Sequence, residues 1–217
     1  MDNDRKSKIQ GVTHDIKYRF VVIGASAGGG RALSEVLSIL PSYYGLPILV
    51  AQHLHPSDDG GFAKQLDRET ALSVVTPVDK QKMEPGNVYV APANYHLLVE
   101  RNGTMALSTE ERVNWSRPSI DVLFDSAAHA FGKKVTAILL SGASADGTEG
   151  IRNVKDSGGL TVVQEPATAR HSVMPQSAIN AGVIDRVLPL KNIGELLIEI
   201  GTRTVDYTKE SPLKHDR

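Results

Sequence analysis

Short, almost wholly apolar runs alternate with stretches of helical period along most of this chain, and that alternation leaves few folds open. The runs lie at residues 20–23, 47–52, 87–91, 135–140 and 160–164, with a further strand at 183–188. A strand that is apolar on both faces needs a layer of helices on each side, which in turn requires mainly parallel strands. The expected class is therefore α/β: a doubly wound, mostly parallel sheet with helices on both faces. Ala32, Leu33, Val36, Leu37 and Leu40 recur at helical spacing and stop at Pro41. Phe62 and Leu66 mark a second helix. Residues 118–131 form a third, with Pro118 in its first turn and Ile120, Leu123, Phe124 and Ala127 on one face. Residues 148–157 end at Gly158-Gly159, a glycine stop, and 193–202 form the last helix. One segment breaks the alternation. Residues 96–101 and 104–108 read as strands joined by a two-residue Asn102-Gly103 turn, an inserted antiparallel hairpin.

Composition narrows the function classes. At 217 residues the chain can bury a proper core, and we expect one domain over 18–202 between polar tails at 1–17 and 203–217. The 24 basic and 25 acidic residues nearly cancel, which argues against a nucleic-acid partner. The absence of cysteine excludes disulfides, thiolate metal sites and a cysteine nucleophile. No apolar run is long enough to span a bilayer, and the polar N-terminus lacks a signal-peptide core. A soluble, cytoplasmic protein without membrane insertion is expected.

In parallel sheets, ligands bind beyond the carboxyl ends of the strands. Three loops belong there. Gly24-Ala25-Ser26-Ala27-Gly28 follows the first strand, His53 follows the second, and residues 141–147 follow the 135–140 strand. A serine on a sharp strand-to-helix turn is exposed as a nucleophile would be. The same glycines could instead cradle a phosphate, but a dinucleotide site expects glycine at position 26 and an acid ending strand two, where Gln52 and His53 stand. Ser26, His53 and Asp146 are the candidate triad of nucleophile, base and orienting carboxylate. His55 is an alternative base, and His171 would restore the chain order of α/β-hydrolases.

Several motifs in order resemble the catalytic domain of the chemotaxis protein-glutamate methylesterases, the CheB type. They are Ile23-Gly24-Ala25-Ser26-Ala27-Gly28-Gly29, Gln52-His53, Tyr89-Val90-Ala91-Pro92 with His96, and Arg117-Pro118-Ser119-Ile120-Asp121-Val122-Leu123-Phe124. Ser141-Gly142 with Asp146-Gly147, Gln164-Glu165-Pro166-Ala167-Thr168, and Met174-Pro175 with Ala178-Ile179 continue the series. The resemblance implies a triad in the order Ser26, His53, Asp146, setting aside His55 and His171, with no metal or cofactor. It implies hydrolysis of glutamate γ-methyl esters on methylated chemoreceptors, with release of methanol, and deamidation of certain receptor glutamines. It also places His96 near the active-site cleft.

The chain departs from that pattern in three places. Ala27 stands where threonine is common after the nucleophile, leaving the backbone N–H as oxyanion support. Ala143 and Ala145 replace a methionine and an asparagine in the aspartate loop, where Ser144 adds a hydroxyl. These alanines raise the alternative of a weakened family member kept as a binding module. Finally, too few residues precede the first strand for a receiver domain, so the expectation is either an excised catalytic domain or a solitary one, the latter constitutive or controlled by a separate partner.

Overall fold

The computed structural model describes residues 20–202; the tails expected at 1–17 and 203–217 lie outside the described residues. In chain order the strands are β1 (Phe20–Ala25), β2 (Ile48–Gln52), β3 (Ser73–Val75), β4 (Asn87–Val90), β5 (His96–Val99), β6 (Met105–Ser108), β7 (Val135–Leu139), β8 (Leu160–Gln164) and β9 (Arg186–Leu188). The helices are α1 (Gly29–Leu37), α2 (Gly61–Asp67), α3 (Ile120–Phe131), α4 (Thr148–Asp156), α5 (Val173–Asn180) and α6 (Leu190–Thr202).

Seven strands form one parallel sheet in the order β3-β4-β2-β1-β7-β8-β9, and β5 and β6 form a separate antiparallel hairpin. The chain winds outward from β1 through β2 to β4, then returns to lay β7 on the other side of β1. The β1–β7 junction is thus the switch point at which the following loops diverge and leave a crevice.

Side chains of β1 alternate between two cores, as a strand's period of two demands. Val21, Ile23 and Ala25 pack with Leu33, Val36 and Leu37 of α1 and Ile193 and Leu197 of α6. Phe20 and Val22 pack with Ile120, Leu123 and Phe124 of α3, Ile151 and Val154 of α4 and Met174 of α5. The hairpin adds Leu97, Val99 and Met105 to this second layer. Helix α1 has no side-chain cap and no acidic residue in its first turn, so its buried stripe must hold it. Each fully buried leucine or valine there contributes about 1.5–3 kcal/mol.

Several boundaries differ from expectation. The hairpin turn spans three residues: Gly103 N–H donates to Glu100 O, Glu100 N–H donates to Thr104 O, and only Gly103 has positive φ (86°). This is a type I turn closed by a left-handed glycine, the usual three-residue solution, instead of the two-residue form. Pro118 sits outside α3, after a cis Arg117–Pro118 bond and before the N-cap Ser119. Of residues 183–188 only Arg186–Leu188 is a strand, because it is the sheet edge, with Val187 44% exposed. The last helix begins at Leu190, directly after Pro189, and not at 193. Strand β3 and helix α5 lay outside the sequence expectation. The end of α4 matches it: Gly158 N–H reaches Lys155 O and Gly159 N–H reaches Val154 O, the double closure of a glycine C-cap.

Candidate active site

Ser26 leaves β1 on a turn held from several directions. Its N–H donates to Ser141 O (3.0 Å) and its carbonyl accepts from the Gln52 side-chain amide (3.0 Å) and from Gly29 N–H (2.8 Å). Two glycines make the turn possible. Gly28 has φ 74°, and a Cβ on it would sit 2.8 Å from Arg170 Cβ. A Cβ on Gly29 would sit 2.6 Å from Ala25 Cβ and 2.7 Å from Gln52 Oε1, so α1 can start this close to β2 only without a side chain there.

His53 follows β2, the neighbour of β1. Its N–H donates to Ala25 O (3.1 Å) and its carbonyl accepts the second Gln52 amide bond (3.0 Å). Gln52 therefore ties the serine turn to the histidine. The imidazole Nδ1 lies 3.1 Å from Ser26 Oγ, and Nε2 lies 2.7 Å from Asp146 Oδ2. Asp146 reaches this point from the loop after β7.

Asp146 is buried, at 1% exposure, and accepts more bonds than the histidine's alone. Asn114 Nδ2 (3.0 Å) and Ser119 Oγ (2.9 Å) donate to Oδ1, Ile120 N–H (2.8 Å) donates to Oδ2, and Asp121 N–H lies at 3.3 Å from Oδ1. The carboxylate thus occupies the N-terminus of α3, where orphan N–H groups and the helix dipole favour an anion. Burial alone would raise its pKa, but the bonds from His53, Asn114 and Ile120 prevail and hold it down to about 2. Ionised Asp146 can only accept, so Nε2 carries the proton and Nδ1 presents its lone pair to Ser26. Neighbouring Asp121 is pushed the other way, up to about 6, by burial and then by the charge of Asp146, against the bonds it accepts from Gly150 N–H and Asn114.

The other candidates separate clearly. His55 is exposed and bonds Ser57 Oγ (2.6 Å); His171 is exposed and meets Ser141 through its backbone. His96, expected at the cleft, is 1% exposed: Nε2 bonds Glu111 O (3.0 Å) and Nδ1 accepts from Ser119 N–H (3.2 Å). Both ring nitrogens are used internally, so it braces the start of α3 and the loop before it. The N–H groups of Ala27 and Ala143 make no hydrogen bond among the described residues. Ser141 joins three loops, donating from Oγ to Ala27 O (2.8 Å), accepting at Oγ from His171 N–H (3.0 Å), and donating its backbone N–H to Gln164 Oε1 (2.9 Å).

Asn114 and Ser119 were not singled out as site residues by sequence reasoning; Ser119 stood only as part of the Arg117–Phe124 motif, and nothing local marks Asn114. Asn114 belongs to a tight hairpin in which Val113 and Ser116 exchange both backbone bonds (3.2 and 2.9 Å). Its central residues Asn114 and Trp115 have φ 51° and 62°, and Trp115 is 93% exposed.

A family model described as CheB methylesterase matches residues 21–197. The chain belongs to the CheB methylesterase family. A Leptospira interrogans relative, provisionally named a protein-glutamate methylesterase/protein-glutamine glutaminase, is 42% identical over 191 residues, covering 88% of this chain and 99% of its own length. The Pseudomonas aeruginosa protein-glutamate methylesterase/protein-glutamine glutaminase 2 is 37% identical over 188 residues, covering 85% of this chain and 54% of its own length. The chain therefore spans nearly all of one relative and about half of the other. The crystal structure of the Thermotoga maritima CheB methylesterase catalytic domain matches with a TM-score of 0.81 at 36% identity, over 84% of this chain and 98% of that one. The doubly wound parallel sheet and the added hairpin are thus the CheB-type catalytic fold. No described helix is long and apolar enough to cross a membrane.

Proposed function

We propose that this CheB-family chain is a cytoplasmic serine hydrolase that demethylates glutamate γ-methyl esters on a methylated chemoreceptor, with Ser26, His53 and Asp146 as its catalytic residues. The observation that carries this is the continuous line from Ser26 Oγ through the imidazole to a buried, ionised Asp146 (3.1 and 2.7 Å). Ser26 Oγ attacks the ester carbonyl carbon while His53 Nδ1 takes its proton. Asp146 stabilises the imidazolium through Nε2–H. The oxyanion is received by backbone N–H groups, and Ala27, next after the nucleophile, and Ala143 on the facing loop are two whose N–H makes no hydrogen bond among the described residues. Each such donor is worth about 3 kcal/mol in the transition state. Collapse breaks the C–O bond, and His53 returns the proton to the departing methoxide, giving methanol. Water then attacks the acyl-serine by the same route, leaving a free glutamate. Glutamine deamidation follows the same path with ammonia as the leaving group.

Methylated receptor incubated with the protein should release methanol, and Ser26→Ala should remove the activity. Retention of full activity in that variant would remove Ser26 from the mechanism. Asp146→Asn should lower kcat by about 10³–10⁴-fold, since it no longer enforces the base tautomer.

A further inference from the structure

A cleft of about 410 Å³ beside the nucleophile turn takes no part in the chemistry above. It opens between the first turns of α1 and the segment 164–170, and Gly28, Arg31, Ser141 and Arg170 contribute to its walls. The Arg170 stem rests against Gly28, two positions from Ser26, at the contact that forbids a Cβ there. Arg31 stands in the first turn of α1. Among the described residues neither guanidinium has a hydrogen-bond or ion-pair partner. The third charge on the cleft is Glu35. It lies one turn further along α1, about 10 Å along the axis from Gly28 against about 4.5 Å for Arg31. The cleft is therefore positive at the end adjoining Ser26 and negative at the far end.

We propose that Arg31 and Arg170 form a carboxylate-binding subsite that selects protein substrates bearing an acidic side chain close to the esterified glutamate. The proposal rests on the esterase reading for the position of the ester. A guanidinium fork matches a carboxylate in shape and charge and binds it through paired N–H groups. A methyl ester is neutral, so it gives the enzyme no charge to recognise; a neighbouring acid supplies one. Glu35 opposes a second acid at the far end of the cleft, which confines the preference to the side nearest the ester.

The test uses two synthetic peptides, each with one glutamyl methyl ester, flanked in one by glutamate and in the other by glutamine. For the wild-type protein, kcat/KM for the glutamate-flanked peptide should exceed that for the other by about tenfold at low salt. That ratio should shrink at high salt, because both arginines are exposed. In the Arg31→Ala/Arg170→Ala variant the ratio should fall to about one. Calorimetric titration of the Ser26→Ala protein with the same peptides gives a second reading that needs no turnover. A glutamate preference in titration that the double substitution removes would support the subsite even if neither peptide were hydrolysed, a result that would count only against the esterase reading. An equal ratio before and after the substitution, by both readouts, would overturn the subsite. Equal inhibition of both peptides by millimolar free glutamate would assign the arginines to a free carboxylate and overturn the substrate-selection claim.

Discussion

Asn114 is the residue on which two carboxylates of opposite behaviour meet. Its amide donates to Asp146 (3.0 Å) and to Asp121 (2.7 Å), so it helps fix the orientation of the first and favours the ionised form of the second, against the burial and the Asp146 charge that push it up. Removing it in Asn114→Ala should cost about 1 kcal/mol of transition-state stabilisation, roughly a five- to tenfold loss in kcat. A lowered thermal midpoint with an unchanged kcat would mean that Asn114 acts only on the fold. Asp121 offers the converse experiment. Its carboxyl is raised to about 6 in the folded protein, so the native state binds that proton more tightly than the unfolded chain. Stability falls as pH rises from about 4, the unfolded value, to about 6, and the penalty stays above that. Asp121→Asn should therefore stabilise the protein by about 1 kcal/mol at pH 7 and by nothing at pH 4, read as thermal midpoints at the two pH values. Asp146 has the opposite sign: its contribution is complete above about pH 4 and is lost as pH falls through about 2.

Among the elements, those whose sequence signal was strong were legible, and those built by distant partners were not. The apolar runs of β1, β2, β7 and β8 declared themselves because each is buried on both faces. Helix α5 has a weak apolar face and carries Pro175 in its first turn, where the missing N–H costs nothing, so neither stripe nor breaker identified it. The start of α3 was misread for a related reason. Pro118 looks like a first-turn residue, but the acceptor at this helix start is Asp146, supplied from the β7 loop; no local pattern encodes that partner. The small hairpin around Asn114 and Trp115 was equally invisible. Asparagine tolerates left-handed backbone, but a tryptophan at φ 62° does not adopt it freely. Trp115→Gly should relieve part of that strain and raise stability by about 0.5–1 kcal/mol, allowing for the extra freedom glycine gives the unfolded chain. A thermal midpoint 2–4 °C higher, the shift about 1 kcal/mol gives at this size, would agree; a fall would mean that the exposed indole packs in solution.

At the scale of the molecule, the α/β alternation led to the sheet, and the rule about strand ends led to Ser26, His53 and Asp146. Neither could reveal the cleft walls at Arg31 and Arg170, which are brought together only by the winding of α1 and the 164–170 segment. The same winding gives Asp146 two duties, orienting a histidine and capping the N-terminus of a helix. That has a practical consequence for anyone wanting an inert version of this protein. On the proposed mechanism, a variant that removes the Asp146 carboxylate loses the group that orients the base and also the acceptor at the start of α3, so its loss of activity would report both. Ser26 carries no such second burden through its side chain, whose hydrogen bond is to His53. On the proposed mechanism, Ser26→Ala is therefore the version to use for capturing a methylated receptor, since it removes the nucleophile and leaves the hydrogen bonds of Asp146 in place.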